Sequence, residues 1–207
     1  MIKILFKDSK EIVVAPISEF EKRLNLRYTK SLKFQKENYL SKTLKQSKKA
    51  MKRKDLSIRE NWLGVRFKKE ISDGYQSNIS IRWIDDVLGY GVFAEEDMAI
   101  STYIGEYTGL VRKRRRRHDR KNDYCFEYTI GDWVYNPFII DAKEQGNFTR
   151  FINHGEIPNV ASLSVYVNEI MHIIFIVLEP IKAGEQLRYH YGDTFWKKRR
   201  HAPLVDL

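Results

Sequence analysis

Seven short runs rich in β-branched and aromatic residues follow one another between residues 79 and 178. They are Ile79 to Ile84, Gly91 to Ala94, Thr102 to Tyr107, Tyr124 to Ile130, Trp133 to Asp141, Leu163 to Val167 and Met171 to Leu178. Runs of this length suit strands better than helices. Gly131-Asp132 and Asn168-Glu169 fall between neighbouring runs, where hairpin turns are expected. Many short strands with few long helices predict a mainly β domain.

The chain before residue 79 has another character. Residues 2 to 6 and 11 to 15 are apolar and predict a small hairpin. Ser18 and Glu21 have capping-box spacing, with Ile17, Phe20 and Leu24 behind them, which predicts a helix over 18–28. From Lys42 to Lys54, seven of thirteen residues are basic, as in a solvated helix or connector, or in a polyanion contact. The organisation expected is a basic, partly helical region over 1–78, a β domain over 79–196 and a short basic tail over 197–207.

Lysine and arginine number 37 against 27 acidic residues, so the formal charge of +10 favours a polyanionic or acidic partner. A second basic run, Arg112 to Lys121, has eight of ten residues cationic and interrupts the β region. So much like charge resists unpaired burial, which predicts a surface insertion able to touch nucleic acid or a nucleosome. The single cysteine, Cys125, excludes an intramolecular disulfide framework and a cysteine-rich zinc cluster. With five scattered histidines, no metal site is expected. No stretch reaches the ~20 apolar residues of a membrane span, and the start lacks the long apolar run of a signal peptide. A soluble protein of a reducing compartment is expected.

The polar stretch GNFTRFINHGEIPN, residues 146–159, lies between two of the β-rich runs. With it belong Gly89-Tyr90-Gly91, Glu106-Tyr107-Thr108-Gly109 and, late in the chain, Gly184-Glu185-Gln186-Leu187 followed by Tyr189-His190-Tyr191-Gly192. In this order and spacing the four segments resemble the signatures of the SET-domain protein lysine methyltransferases. The resemblance covers residues 79–196. It implies a SET β-fold with a pseudoknot, S-adenosylmethionine as cofactor, and a lysine of a basic protein, a histone or histone-like protein, as substrate.

Carried over position by position, the resemblance implies that Leu88, Gly89 and Tyr90 face the methionine end of the cofactor. Asn153 and His154 would contact its adenosine, and Arg150 and Tyr124 would also touch it. Trp196 would close over the adenine, while Phe151 and Ile152 fill the core below. Tyr191 aligns with the catalytic tyrosine and itself borders the cofactor; Tyr107 aligns with the aromatic beside the transfer channel. Tyr189 aligns with the position where family members that stop early carry tyrosine, which implies mainly monomethylation.

Many family members read NHSC where this chain has Asn153-His154-Gly155-Glu156, and carry a zinc-binding cysteine segment after the last motif. Its absence leaves the channel to be completed by apolar packing, by a second subunit of a homodimer or by the amino-terminal region. That departure resembles the small free-standing SET proteins of bacteria, the chlamydiae among them, and of large viruses. It implies a bacterial cytoplasm, or export to a host cell and its nucleus. The rival classes are a nucleic-acid or nucleoprotein binder with an inactive SET fold and a scaffold for lysine-rich tails. Retention of Tyr191 argues against both.

Overall fold

The computed structural model describes residues 1–130, 137–193, 195 and 196, and of Arg116 only the backbone. Strands β1 (Ile2–Leu5) and β2 (Val13–Ala15) form the expected hairpin, with Ile2 opposite Ala15. Helix α1 spans Ile17–Leu24, four residues shorter at its end than the sequence pattern predicts. Asn25 takes a left-handed conformation (φ 47°) and stops it, as asparagine can without the penalty other side chains meet. Arg27–Tyr28 then become strand β3. The capping box expected at Ser18 is absent too: the N-cap is Pro16, and Glu21 instead accepts the Tyr28 N–H at 2.7 Å.

Strand β4 (Lys33–Phe34) leads into α2 (Glu37–Arg53), α3 (Ile58–Arg66) and α4 (Lys68–Asp73). The basic run 42–54 thus lies almost wholly in α2, which buries Tyr39, Thr43, Ser47 and Ala50 on one face and keeps its lysines outside. Helix α3 starts with a full capping box, Ser57 and Glu60 satisfying each other's backbone N–H. It packs so closely on the later sheet that a Cβ at Gly64 would lie 2.1 Å from the Tyr166 carbonyl oxygen.

The remaining strands are β5 (Ile79–Asp85), β6 (Gly89–Ala94), β7 (Tyr103–Glu106), β8 (Leu110–Lys113), β9 (Cys125–Glu127), β10 (Phe138–Asp141), β11 (Gln145–Gly146), β12 (Asn153–His154), β13 (Val160–Val167), β14 (Ile170–Val177) and β15 (Arg188–Tyr189). A short helix, α5 (Arg116–Asp119), follows β8, and a 3-10 turn spans Phe148–Phe151. The turn predicted at Gly131-Asp132 and the start of the run from Trp133 lie outside the described residues, as does the tail after Trp196. Asn168 and Glu169 both have positive φ (50° and 64°) and close the β13–β14 hairpin.

The sheets are small: β2-β1-β5-β6 and β4-β8-β10-β9 are mixed and β13-β14-β7 is antiparallel, with β11 on β3 and β12 on β15 in parallel pairs. Three parallel pairings, β1 with β5, β4 with β8 and β3 with β11, tie the first 34 residues into the later chain. A fourth, β12 with β15, joins distant motifs. Such non-local pairs leave no signature in a local pattern. Ile4, Phe6 and Phe20 share one buried cluster with Ile81, Val92, Phe148, Phe175 and Leu187. Side chains of this size contribute roughly 1.5–3 kcal/mol each on burial, so the amino-terminal hairpin is part of the domain's core.

The second basic run divides differently from its charge. Arg112 sits inside β8 and is only 5% exposed, with Nε donating to Asp141 at 2.7 Å and Nη2 to Asp119 at 2.7 Å. The expected solvated insertion therefore begins after it. Two carboxylates far apart in sequence pair this one cation, and no run-length reading of charge shows that.

Candidate functional site

The segment after Asp85 turns tightly because its carboxylate accepts the N–H groups of Val87 and Leu88 at 2.8 and 2.7 Å. Gly89 follows with φ 71°, a conformation that favours glycine, and starts β6 with open space where a side chain would stand. The Asn153 side chain donates to the Tyr90 carbonyl at 3.2 Å, joining β6 to β12. Strand β12 in turn runs parallel to β15, Asn153 opposite Arg188 and His154 opposite Tyr189. Asn159 secures the same junction: its side chain donates to the Gln186 carbonyl at 2.9 Å and accepts the Arg188 N–H at 2.8 Å. The first and the last two motifs are thereby fastened at one point.

Around this junction lies a cleft of about 890 Å³. Every residue expected to meet cofactor or substrate lines it: Leu88, Gly89, Tyr90, Tyr107, Tyr124, Arg150, Asn153, His154, Tyr189, Tyr191 and Trp196. The pattern did not single out Trp83, Val87 and Asp123, which line it as well. Trp83 faces the site because it pairs with Tyr90 across the β5–β6 hairpin, which only the strand register reveals. Phe151 and Phe195 complete the wall. A second, more polar cleft, bordered by Ser18, Lys22, Arg115, His118 and Lys143, contains none of these residues.

One end of the cleft is aromatic. The Tyr189 ring lies 4.7 Å from Tyr191 and 4.9 Å from Phe175, and stacks on Phe126 at 6.3 Å. Phe126 also packs on Tyr107 at 5.2 Å. The Tyr191 hydroxyl donates to the Ile152 carbonyl at 2.9 Å, and the Tyr107 hydroxyl to the Tyr124 carbonyl at 2.8 Å. Burial pushes the Tyr107 and Tyr189 phenols well above their ordinary range, so both stay protonated at neutral pH.

In the same cleft the Arg150 guanidinium stacks 3.6 Å over Tyr124, and its buried Nε has no partner among the described residues. Burial pulls this guanidinium below its usual range, against the opposing effect of the neighbouring Tyr124 and Tyr107. Trp196 lies 4.9 Å from the His154 ring and nearly parallel to Tyr191 at 6.2 Å, and its Nε1 is likewise buried without a partner among the described residues. Phe195 meets Tyr191 at 4.7 Å. Glu106, beside Tyr107, is buried against His172 at 2.6 Å; burial raises its carboxyl, partly offset by the histidine. This pair supports the wall from behind.

The model of the SET domain family matches residues 89–192, half of the chain. The chain belongs to the SET-domain family. It is 36% identical over 124 residues to "Histone-lysine N-methyltransferase EZH2" of Chaetomium thermophilum, an alignment covering 53% of this chain and 8% of that protein. With "Histone-lysine N-methyltransferase EHMT1" of Mus musculus it shares 30% identity over 140 residues, 65% of this chain and 10% of the relative. Among solved structures, an active polycomb repressive complex 2 in the basal state is similar, with TM-score 0.53 and 32% identity over 60% of this chain and 16% of that one. The matched part is thus a small fraction of each relative's length.

These relatives correct two expectations. The bacterial, chlamydial-type origin, and with it the bacterial cytoplasm or export to a host cell, is overturned by relatives among eukaryotic histone-lysine methyltransferases of fungi, mammals, flies and plants. Zinc-binding cysteines describe one appendage, whereas identity across the motif-bearing strands reports descent. Among the described residues no helix is long and apolar enough to cross a membrane.

Proposed function

We propose that the protein is an S-adenosylmethionine-dependent protein lysine N-methyltransferase acting on histones or similarly basic proteins. The observation that supports this most strongly is the gathering of all four motifs around one cleft. The relatives given above are named as histone-lysine N-methyltransferases, and a similar autoinhibited ctPRC2 structure is bound to S-adenosylmethionine.

The cleft's chemistry fits that cofactor. Arg150 Nε and Trp196 Nε1 are buried donors that lack protein acceptors among the described residues, and burial makes such vacancies costly unless a ligand fills them. A carboxylate and a purine supply acceptors of the right kind. The open face at Gly89 lets the main chain approach a ligand closely. Leu88, Gly89, Tyr90, Tyr124, Arg150, Asn153, His154, Tyr191 and Trp196 are the residues that would hold it.

When bound, the cofactor supplies a sulfonium-linked methyl group for in-line displacement by an amine. The chain's own contribution is alignment and exclusion of water. Tyr107 and Tyr189, backed by Phe126 and Phe175, line the cleft and would pack on lysine methylenes and attract cationic nitrogen. Desolvation in such a channel favours the neutral amine that the reaction needs. The Tyr191 hydroxyl spends its proton on the Ile152 carbonyl, which leaves its oxygen to accept a hydrogen bond from the amine. Tyr107 and Tyr189, kept protonated, act through position rather than as bases.

Tyr189 bears on product choice: a hydroxyl here can retain a water beside the amine, and a methylated amine must displace it to rotate for another transfer. Mainly monomethyl-lysine follows. Arg114 to Lys121, the part of the basic run beyond buried Arg112, is proposed to contact nucleic acid near the substrate. Apolar packing of Phe195 and Trp196 on Tyr191 helps complete the channel, and a homodimer contact would add to it. The test is incubation with methyl-labelled S-adenosylmethionine and core histones. Label on lysine supports the reading; tight histone binding without transfer by a folded, cofactor-binding protein favours the inactive-binder class.

A further inference from the structure

At the rim of the cleft, His154 Nε2 lies 3.2 Å from one Glu156 oxygen and His190 Nε2 lies 3.8 Å from the other. One ligand-type atom from each of the three falls within 4.8 Å of the rest. Two imidazoles and a carboxylate at this spacing look like the donor set of a divalent metal. The far side of each ring decides otherwise. The Tyr191 N–H donates to His154 Nδ1 at 3.2 Å, and the Gly192 N–H donates to His190 Nδ1 at 3.1 Å. A ring nitrogen that accepts from a backbone N–H carries no proton, so in each neutral ring the proton sits on Nε2. Metal-ligating histidines have the reverse arrangement, donating from the nitrogen that the metal leaves free. Here the His154 Nε2–H is within hydrogen-bond distance of the carboxylate, and the His190 Nε2–H faces its other oxygen at an electrostatic separation of 3.8 Å.

We propose that Glu156 is a positioning residue whose carboxylate accepts the His154 Nε2–H and attracts the nearby His190 ring, and so holds the chain after β15 against β12 at the cofactor end of the cleft. The inference rests on the function proposed above. Its reach follows from the contacts: the His154 ring lies 5.4 Å from Tyr191, 4.9 Å from Trp196 and 5.1 Å from His190. His154 is nearly buried, with 6% of its side chain exposed, whereas Glu156 and His190 are 46% and 41% exposed. Water competes at the outer end, so the effect on cofactor binding is moderate. Tyr191 is tied to this cluster through its own backbone N–H, which links the rim to the residue assigned to catalysis.

The experiment uses the full chain labelled with ¹⁵N-histidine. At neutral pH, long-range ¹H–¹⁵N correlation is expected to show both rings protonated on Nε2, with the His154 Nε2–H slow to exchange. In Glu156→Ala that resonance is expected to be lost to exchange. The calorimetric Kd for S-adenosylmethionine should rise roughly three- to tenfold, the size of one half-exposed hydrogen bond to a charged group. Glu156→Gln, which keeps an acceptor oxygen, should lie closer to wild type in both readouts. An Nδ1–H tautomer at either ring, stoichiometric binding of added zinc chloride at these rings, or an unchanged His154 resonance in folded Glu156→Ala would overturn the proposal. A wild-type protein that binds no S-adenosylmethionine would sink the functional reading alone, since the proton positions are read without the cofactor.

Discussion

Replacing Arg112 by methionine should destabilise the protein by about 3 kcal/mol, far more than the same change at any exposed arginine of the run. Arg112 makes two 2.7 Å bonds to carboxylates and a 3.0 Å bond to the Lys113 carbonyl while only 5% exposed. Two charge-assisted bonds are worth about 1.5–3 kcal/mol each. The lower end applies because Asp141 keeps the Asn122 amide at 2.9 Å, and Asp119 keeps the Arg115 N–H at 2.5 Å. Methionine fills much of the volume, so the loss reports unpaired carboxylates rather than a cavity. The pH dependence adds a check. Although burial opposes it, bonding to Arg112 and the Arg115 N–H holds the Asp119 carboxyl below its usual range. A lowered carboxyl contributes stability above its unfolded pKa of about 3.9, and that contribution is lost as pH falls through the folded value. The gap between wild type and Arg112→Met, measured by urea denaturation, should therefore narrow in that acid range. A loss no larger than that of Arg117→Met at neutral pH would refute the assignment.

Other outcomes follow from the same geometry. Changing Arg114, Arg115, Arg117 and Arg120 to glutamine should weaken DNA or nucleosome binding and flatten its salt dependence, measured by titration at several salt concentrations, with melting temperature almost unchanged. Arg150→Met should raise the Kd for S-adenosylmethionine about tenfold by calorimetry, the loss expected for one charge-assisted bond. Tyr189→Phe should shift products on a single-lysine peptide toward dimethyl and trimethyl forms in mass spectrometry; a wild-type enzyme giving mainly trimethyl-lysine removes Tyr189 as the limit. Gly64→Ala should cost about 1–3 kcal/mol in urea melts, because its Cβ would meet the Tyr166 backbone.

What the sequence made legible depended on range. The β13–β14 hairpin and the β1–β2 hairpin were readable because alternating or continuous apolar runs and their turn residues are local. The residues that line the cleft were readable because four motifs keep their order and spacing, although Trp83, which enters by strand register, was not. Arg112 was misplaced because its two partners stand 7 and 29 residues away, and charge counting treats a buried pair and a solvated run alike. The parallel pairings of β1, β3 and β4 were invisible for the same reason. Asn25, which ends α1 with φ 47°, was a local signal that the apolar spacing overrode.

The central claim is that the cleft transfers a methyl group to lysine with Tyr191 at the reacting amine. The direct measurement is single-turnover transfer to core histones by wild type and Tyr191→Phe, each with its cofactor Kd determined on the same folded sample. The account predicts that transfer falls by orders of magnitude while the fold and most of the cofactor affinity remain. Near-wild-type transfer by a well-folded Tyr191→Phe protein would contradict it.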